Sequence, residues 1–213
     1  RGKLSRDEAM HRHSTWRCGG RTKYYFEPED LSDLQLFFEN HPALDYAIIG
    51  LGSNLLVRDG GFDGVIVSTK KSFSKIKWHD NNRSVYVQCG VPCAQIAKEA
   101  AEKDKAGLEF LIGIPGTIGG ALKMNAGASG GEIWDFVSEV EIFDKKNGTK
   151  SLARDSFAPK YRGLIDDDSW FYSATLKLTS SAKGMGHEVL KNFLKKRKES
   201  QPVGKHSCGS VFV

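Results

Sequence analysis

The residues with most chemistry to offer lie between Glu109 and Gly131, EFLIGIPGTIGGALKMNAGASGG. Gly113, Gly116, Gly119, Gly120, Gly127, Gly130 and Gly131 crowd that stretch. Glycine is costly to order and is kept where backbone must take φ > 0 or press close to a ligand. Pro115 stiffens the first turn, while Thr117, Asn125 and Ser129 add hydrogen-bonding groups. Successive N–H groups flanked by glycine make a concavity suited to an anion such as a pyrophosphate. A tight structural crossover is the competing account, because glycine punctuates many loops.

A second candidate precedes it. Residues 46–50, YAIIG, read as a short apolar strand that runs into Gly50, Leu51, Gly52, Ser53 and Asn54. Glycines after a strand suggest the dinucleotide fingerprint, but Leu55 stands where its third glycine belongs. Leu55 to Arg58 read as strand again, then Asp59-Gly60-Gly61 as a turn and Val65 to Val67 as another strand. Strand, turn, strand is not strand, turn, helix, and no G-x-x-x-x-G-K-[ST] occurs. The familiar nucleotide folds are excluded.

The elements that must position these turns follow from periodicity. Residues 13–20, HSTWRCGG, read as an extended entry closing in a Gly-Gly turn. Asp30 or Ser32 can cap a helix carrying Leu31, Leu34, Phe37 and Phe38, ended by His41-Pro42. Ser84 to Cys89 reads as a strand. Cys93 to Lys105 reads as a helix with Ile96, Ala97, Ala100 and Ala101 inward. Val137 to Asp144 is a strand, Lys146-Asn147-Gly148 a hairpin turn, and Thr149 to Ala153 the return. Trp170 to Leu178 alternates as a half-buried strand. Val189, Leu190, Phe193 and Leu194 line one face of a basic helix that stops before Pro202. The class is α+β, with no internal repeat.

Composition narrows the function. With 213 residues, 39% hydrophobic and 27% charged, the chain can bury a substantial core as an ordinary globular protein. No run approaches the ~18 apolar residues of a transmembrane helix. The first residues carry no apolar core, so no signal peptide is expected and a cytoplasmic location is the default. Cys18, Cys89, Cys93 and Cys208 form no C-x-x-C pair, and His11 and His13 have no partner cluster, so no metal site is expected. The net charge of +5 favours an anionic partner weakly. Lys195-Lys196-Arg197-Lys198 reads as a solvated helix face, and no aromatic interleaving supports nucleic-acid binding. The chain stops inside strand-like residues, VFV, as an incomplete chain would.

Five pieces of sequence, in order, resemble the UDP-N-acetylenolpyruvoylglucosamine reductase family. They are HSTWRCGG at 13–20, GLGSNLLVRDGGFDGVIV at 50–67, GIPGTIGGALKMNAGASGGE at 113–132, YR at 161–162 and GSVF at 209–212. The resemblance implies the FAD-binding fold of the vanillyl-alcohol-oxidase/PCMH type. Two FAD subdomains, 12–70 and 71–180, would be followed by the start of a truncated C-terminal substrate-binding subdomain at 181–213. It implies non-covalent FAD held by Gly50, Leu51, Gly52, Ser53, Asn54, Gly113, Ile114, Pro115, Gly116, Thr117, Gly119, Gly120, Asn125 and Gly127. Tyr161 and Arg162 would bind the substrate, UDP-N-acetylglucosamine enolpyruvate. NADPH would be the hydride source, and UDP-N-acetylmuramate, for peptidoglycan, the product.

Within that reading Arg162 offers a forked, permanent charge for the substrate carboxylate. Ser210 offers a hydroxyl as proton donor. Taken without the family, each is more often an ordinary ion-pair or turn residue. The expected protein is monomeric, with neither membrane nor nucleic acid as partner. Ser129 stands where many members carry tyrosine, and Gly163-Leu164 follow Tyr161-Arg162 where many read x-Ser. The family's catalytic glutamate falls beyond Val213, so complete catalysis is expected to need more chain. Two rivals remain at this point: another FAD-linked oxidase of the same fold, acting on an alcohol or sugar lactone and of a kind that often tethers flavin through His or Cys, for which Cys18 is the only nearby thiol in sequence, and a non-catalytic flavin- or nucleotide-binding module.

Overall fold

Two sheets and the helices that cover them carry the site. The computed structural model describes residues 1–79, 83–145, 147–164, 169–202 and 204–207. In chain order the larger elements are β1 (Lys3–Ala9), β2 (Arg21–Glu27), α1 (Leu31–Asn40), β3 (Tyr46–Ile49), β4 (Phe62–Ser68), β5 (Ile76–His79) and β6 (Ser84–Gln88). Then come α2 (Cys93–Glu102), α3 (Ile118–Lys123), β7 (Val137–Asp144), β8 (Gly148–Ala153), β9 (Trp170–Lys177) and α4 (Met185–Ser200).

The first sheet has the order β1-β2-β4-β3, with β1 antiparallel to β2 and both β2 and β3 parallel to β4. The second is antiparallel throughout, in the order β8-β7-β9-β6-β5. A parallel pair needs a crossover, and α1 supplies the one from β2 to β3. Asp30 caps it, its carboxylate accepting from the Asp33 N–H at 2.8 Å. Leu34 and Phe38 face inward. They join Phe26, Val65 and Val67 of the first sheet to Phe143, Trp170 and Tyr172 of the second. Phe38 meets Phe143 at 5.9 Å, and Phe143 meets Trp170 edge-on at 4.6 Å. That shared layer fixes the two sheets against each other.

The other face of the second sheet carries the largest core. Ile96, Ala97, Ala100 and Ala101 of α2 pack with Val85, Val87, Ile118, Leu122 and Trp134, and Leu190 of α4 closes the cluster. Burying a side chain such as Ile96 stabilises by ~1.5–3 kcal/mol. A small third cluster, Met10, Tyr25, Ile49 and Ile66, lies under the loops that enter the site.

Several elements differ from the sequence expectation. Residues 13–20 do not run extended: a 3₁₀ turn at Met10–Arg12 leads into a compact bend, in which the Ser14 hydroxyl donates to the Cys18 carbonyl at 3.1 Å. Leu55 to Arg58 form no strand. Strands β1, β2 and β5 and the short helix α3 were not expected at all. The helix from Cys93 ends at Glu102, because Asp104 and Gly107 take left-handed φ of +52° and +123°. Leu194 is 45% exposed, so the apolar face of α4 stops short of it. Ser210, Cys208, the GSVF piece and Lys146 of the hairpin turn lie outside the described residues.

Candidate cofactor-binding cleft

The two glycine-rich turns meet. Gly50 lies against Thr117 and Gly116 against Ser53: a Cβ on Gly50 would fall 2.2 Å from Thr117 Oγ1, and one on Gly116 would fall 3.0 Å from Ser53 Oγ. Between and beside them opens a cleft of ≈ 1550 Å³. Ordinary ligand pockets occupy about 300–1,000 Å³, so this one suits a ligand as long as a dinucleotide.

Every residue singled out from residues 50–54, 113–127 and 161–162 lines this one cleft. The turns do so by different means. Gly52 takes φ +67°, and a Cβ there would overlap the His13 carbonyl oxygen at 1.8 Å. His13 is held in turn by stacking on Tyr25 at 4.1 Å and by its Nε2 at 3.0 Å from Glu8 Oε1. Among the described residues, no backbone carbonyl accepts from the amides of residues 51–54. Those N–H groups remain for a ligand.

In the second turn much of the backbone is already engaged. Ile118 N–H donates to the Val91 carbonyl and Gly119 N–H to the Cys89 carbonyl, both at 2.9 Å. The expected concavity of free amides along 113–120 is therefore only partial. Gly119 faces inward, where a Cβ would sit 2.8 Å from that of Cys89. Gly120 faces outward: nothing lies within 4 Å of where its Cβ would be. So Gly119 serves the packing of α3 on β6, and Gly120 leaves bare backbone on the cleft.

Arg162 and Tyr161 form the wall beyond α3. Arg162 has φ +59°, rare for a residue with a side chain, and its Cζ stands 5.1 Å from the Tyr161 ring. Asn125, at φ +41°, is likewise left-handed and only 4% exposed. Strained backbone of this kind clusters at ligand clamps. Asn125 Nδ2 donates to Glu132 Oε2 at 2.8 Å and to the Lys160 carbonyl at 3.1 Å, while its Oδ1 is buried without a partner.

Other wall residues were not anticipated. Tyr46, Ile48, Cys89 and Trp170 add an apolar part to the cleft wall. Burial pushes the Cys89 thiol up to about 12, with the Trp170 indole N–H beside it. Cys93, buried in α2, is also pushed up to about 12. Arg197, read as part of a solvated run, instead turns toward the cleft, where a Cβ on Gly113 would lie 4.0 Å from its Nη1. Burial lowers its pKa below the usual guanidinium range, and Lys123 and Arg162 share the same wall. Nothing in the periodicity of α4 distinguishes Arg197 from its lysine neighbours. Among the described residues no group of three His, Cys, Asp or Glu side chains could hold a metal ion. No helix among them is long and apolar enough to cross a membrane.

Residues 22–151 match the model of an FAD binding domain. The chain is 41% identical to the UDP-N-acetylenolpyruvoylglucosamine reductase of Methylococcus capsulatus over 214 aligned residues, covering 100% of this chain and 70% of that protein. Among solved structures it superposes on the UDP-N-acetylenolpyruvylglucosamine reductase of Thermus caldophilus with a TM-score of 0.82 at 26% identity, covering 100% of this chain and 74% of that one. 6-Hydroxy-D-nicotine oxidase from Arthrobacter nicotinovorans, at 14% identity and a TM-score of 0.63 over 84% of this chain and 42% of its own, shares the fold. The fold is thus the FAD-binding α+β type of the vanillyl-alcohol-oxidase/PCMH class, and the chain belongs to the UDP-N-acetylenolpyruvoylglucosamine reductase family.

Proposed function

We propose that this chain is an FAD-dependent oxidoreductase that uses NADPH to reduce the enolpyruvyl ether of UDP-N-acetylglucosamine enolpyruvate to UDP-N-acetylmuramate, a peptidoglycan precursor. The observation that supports it best is the cleft where the two family turns meet the Tyr161–Arg162 wall. The residues present fit FAD. The amides of 51–54 suit its pyrophosphate, bare backbone at Gly120 admits a flat group, and the buried Asn125 Oδ1 awaits a donor. Cys89 is the described cysteine on the cleft wall, and its protonated, 1% exposed thiol is a poor nucleophile. Exposed Cys18 is not part of that wall. Both facts favour non-covalent binding over the tethered oxidase.

Bound FAD supplies the hydride chemistry; the chain supplies placement and charge. Arg162 holds the substrate carboxylate with its fork and stabilises the negative charge that gathers there during reduction. Tyr161, 65% exposed beside it, gives a flat apolar surface for the same substrate. Ser210 donates the proton to the carbon adjoining the reduced one. In this reading 12–70 and 71–180 are the two FAD subdomains, 181–213 begins the substrate-binding part, and the protein works as a cytoplasmic monomer.

Purified protein is expected to be yellow and to release its colour in acid, and oxidation of NADPH on adding the enolpyruvyl substrate is expected of a chain that also carries the family's catalytic glutamate. In Arg162→Lys, flavin reduction by NADPH should stay close to the parent rate while reoxidation by substrate slows at least tenfold. Equal losses in both half-reactions would make Arg162 a structural residue, and colourless protein that takes up no FAD would overturn the reading.

A further inference from the structure

The Asn125 side chain has only one orientation open to it. Its nitrogen donates to Glu132 Oε2 and to the Lys160 carbonyl, and both are pure acceptors. A flipped amide would point Oδ1 at two lone pairs and lose both bonds, so the nitrogen and oxygen cannot trade places. Glu132 is itself tied down, its N–H donating to Asp135 Oδ2 at 3.3 Å within a capping box. Oδ1 is therefore fixed as an acceptor, buried and unpaired, on a side chain that lines the cleft. An unpaired buried acceptor and a left-handed backbone both cost free energy. Their coincidence at one residue points to a ligand donor that completes the set.

Position narrows which donor. Thr117, just before α3, touches the Gly50 turn. Helix α3 then rises ~1.5 Å per residue over its six residues, which is about 9 Å, before the chain reaches Asn125. The Lys160 carbonyl held by Asn125 lies two residues before Arg162. Asn125 thus stands at the Arg162 end of the cleft, at the far end of α3 from the Gly50 turn. With the pyrophosphate at residues 51–54, the part of FAD that reaches Asn125 is its ring system, whose polar edge carries one imide N–H.

We propose that Asn125 Oδ1 accepts the imide N–H of the isoalloxazine ring, and that Glu132 is the positioning residue that keeps the amide turned for it. The inference rests on the reading that FAD occupies this cleft. It assigns to Glu132, absent from the expected site residues, a part in cofactor binding. It also gives the left-handed Asn125 a reason that packing alone does not supply.

The test compares FAD with N3-methyl-FAD, which lacks that N–H, by titrating apoprotein and following flavin fluorescence. Asn125→Gly is the suitable variant, because glycine accepts φ +41° without strain. The parent should bind N3-methyl-FAD at least tenfold more weakly than FAD. Asn125→Gly should bind FAD roughly 5- to 100-fold more weakly than the parent does and no longer distinguish the two flavins. A parent indifferent to the methyl group overturns the proposal and leaves Oδ1 to a ribityl hydroxyl. An equal methyl penalty in parent and variant overturns it as well. If Asn125→Gly does not fold, ¹⁵N-FAD in the parent decides alone: an imide proton that exchanges slowly supports the bond, and one that exchanges as in free FAD contradicts it. A parent that binds neither flavin refutes the functional reading itself, which keeps the two failures apart.

Discussion

The turn at Gly50–Asn54 and the turn at Gly113–Gly120 stand face to face and use the same residue for different physical ends. In the first, Gly52 is required by backbone geometry: φ is +67° and the His13 carbonyl occupies the space a side chain would need. The amides around it stay open. In the second, no residue from 113 to 120 has positive φ among those with left-handed backbone, and two amides are spent on the carbonyls of Val91 and Cys89. There glycine lets α3 sit close to β6 on one side and leaves bare backbone on the other. Composition presents both as ligand loops; only the first keeps its amides free.

The largest effect should come from Gly52→Ala. The left-handed backbone costs ~1–2 kcal/mol, and displacing the His13 carbonyl raises the total to roughly 3 kcal/mol or more. For a chain of this size Tm should fall by roughly 6–12 °C in a thermal melt, with FAD affinity lost in parallel. A melt unchanged within 2 °C would mean that the two turns do not differ in this way.

Gly119→Ala should be milder and purely structural. Its methyl must push against Cys89, at a cost of about 1–3 kcal/mol, offset in part by the ~0.5–1 kcal/mol that alanine gains over glycine inside a helix. A modest drop in Tm with near-parental FAD affinity in the protein that remains folded is the expected result. Loss of FAD without loss of stability would return Gly119 to the ligand side.

A separate, alkaline effect reaches the second turn through its backing. Cys89 and Cys93 hold their protons to about 12 in the fold, against ~8.5 in an unfolded chain. Between those values the unfolded state binds fewer protons, so stability falls as pH rises through the window from ~8.5 to 12 and is fully present below it. Melting curves from pH 7 to pH 11 should show this decline, and Cys93→Ala should flatten it. An unchanged slope in Cys93→Ala would show that other groups carry the alkaline loss.

Much of this frame is legible in the sequence where one signal dominates. The Asp30 cap, the inward stripe of α2 and the apolar run of β3 each follow from local chemistry. Strand β1, KLSRDEA, carries almost no apolar alternation because it is a sheet edge with most of its positions exposed. Helix α3 hides behind Gly119 and Gly120, ordinarily helix breakers, because tertiary packing against Cys89 supports it. The two glycine-rich turns and Tyr161–Arg162 could be named in advance as parts of the cleft. Which glycine faces the ligand and which faces the core could not, since that depends on a neighbour thirty residues away. Arg197 escaped for the same reason: its orientation is set by how α4 packs, not by its own run of charge.

The central claim is that FAD lies in the cleft against the bare face of α3, and Gly120→Val tests it most directly. A Cβ there meets nothing within 4 Å outside the helix's own backbone, so a side chain at 120 extends into the cleft assigned to the cofactor. Titration with FAD and a thermal melt of the apoprotein should be run on the same sample. The predicted result is an apoprotein Tm within about 2 °C of the parent together with loss of measurable FAD binding. Stoichiometric FAD at parental affinity in Gly120→Val would contradict the account.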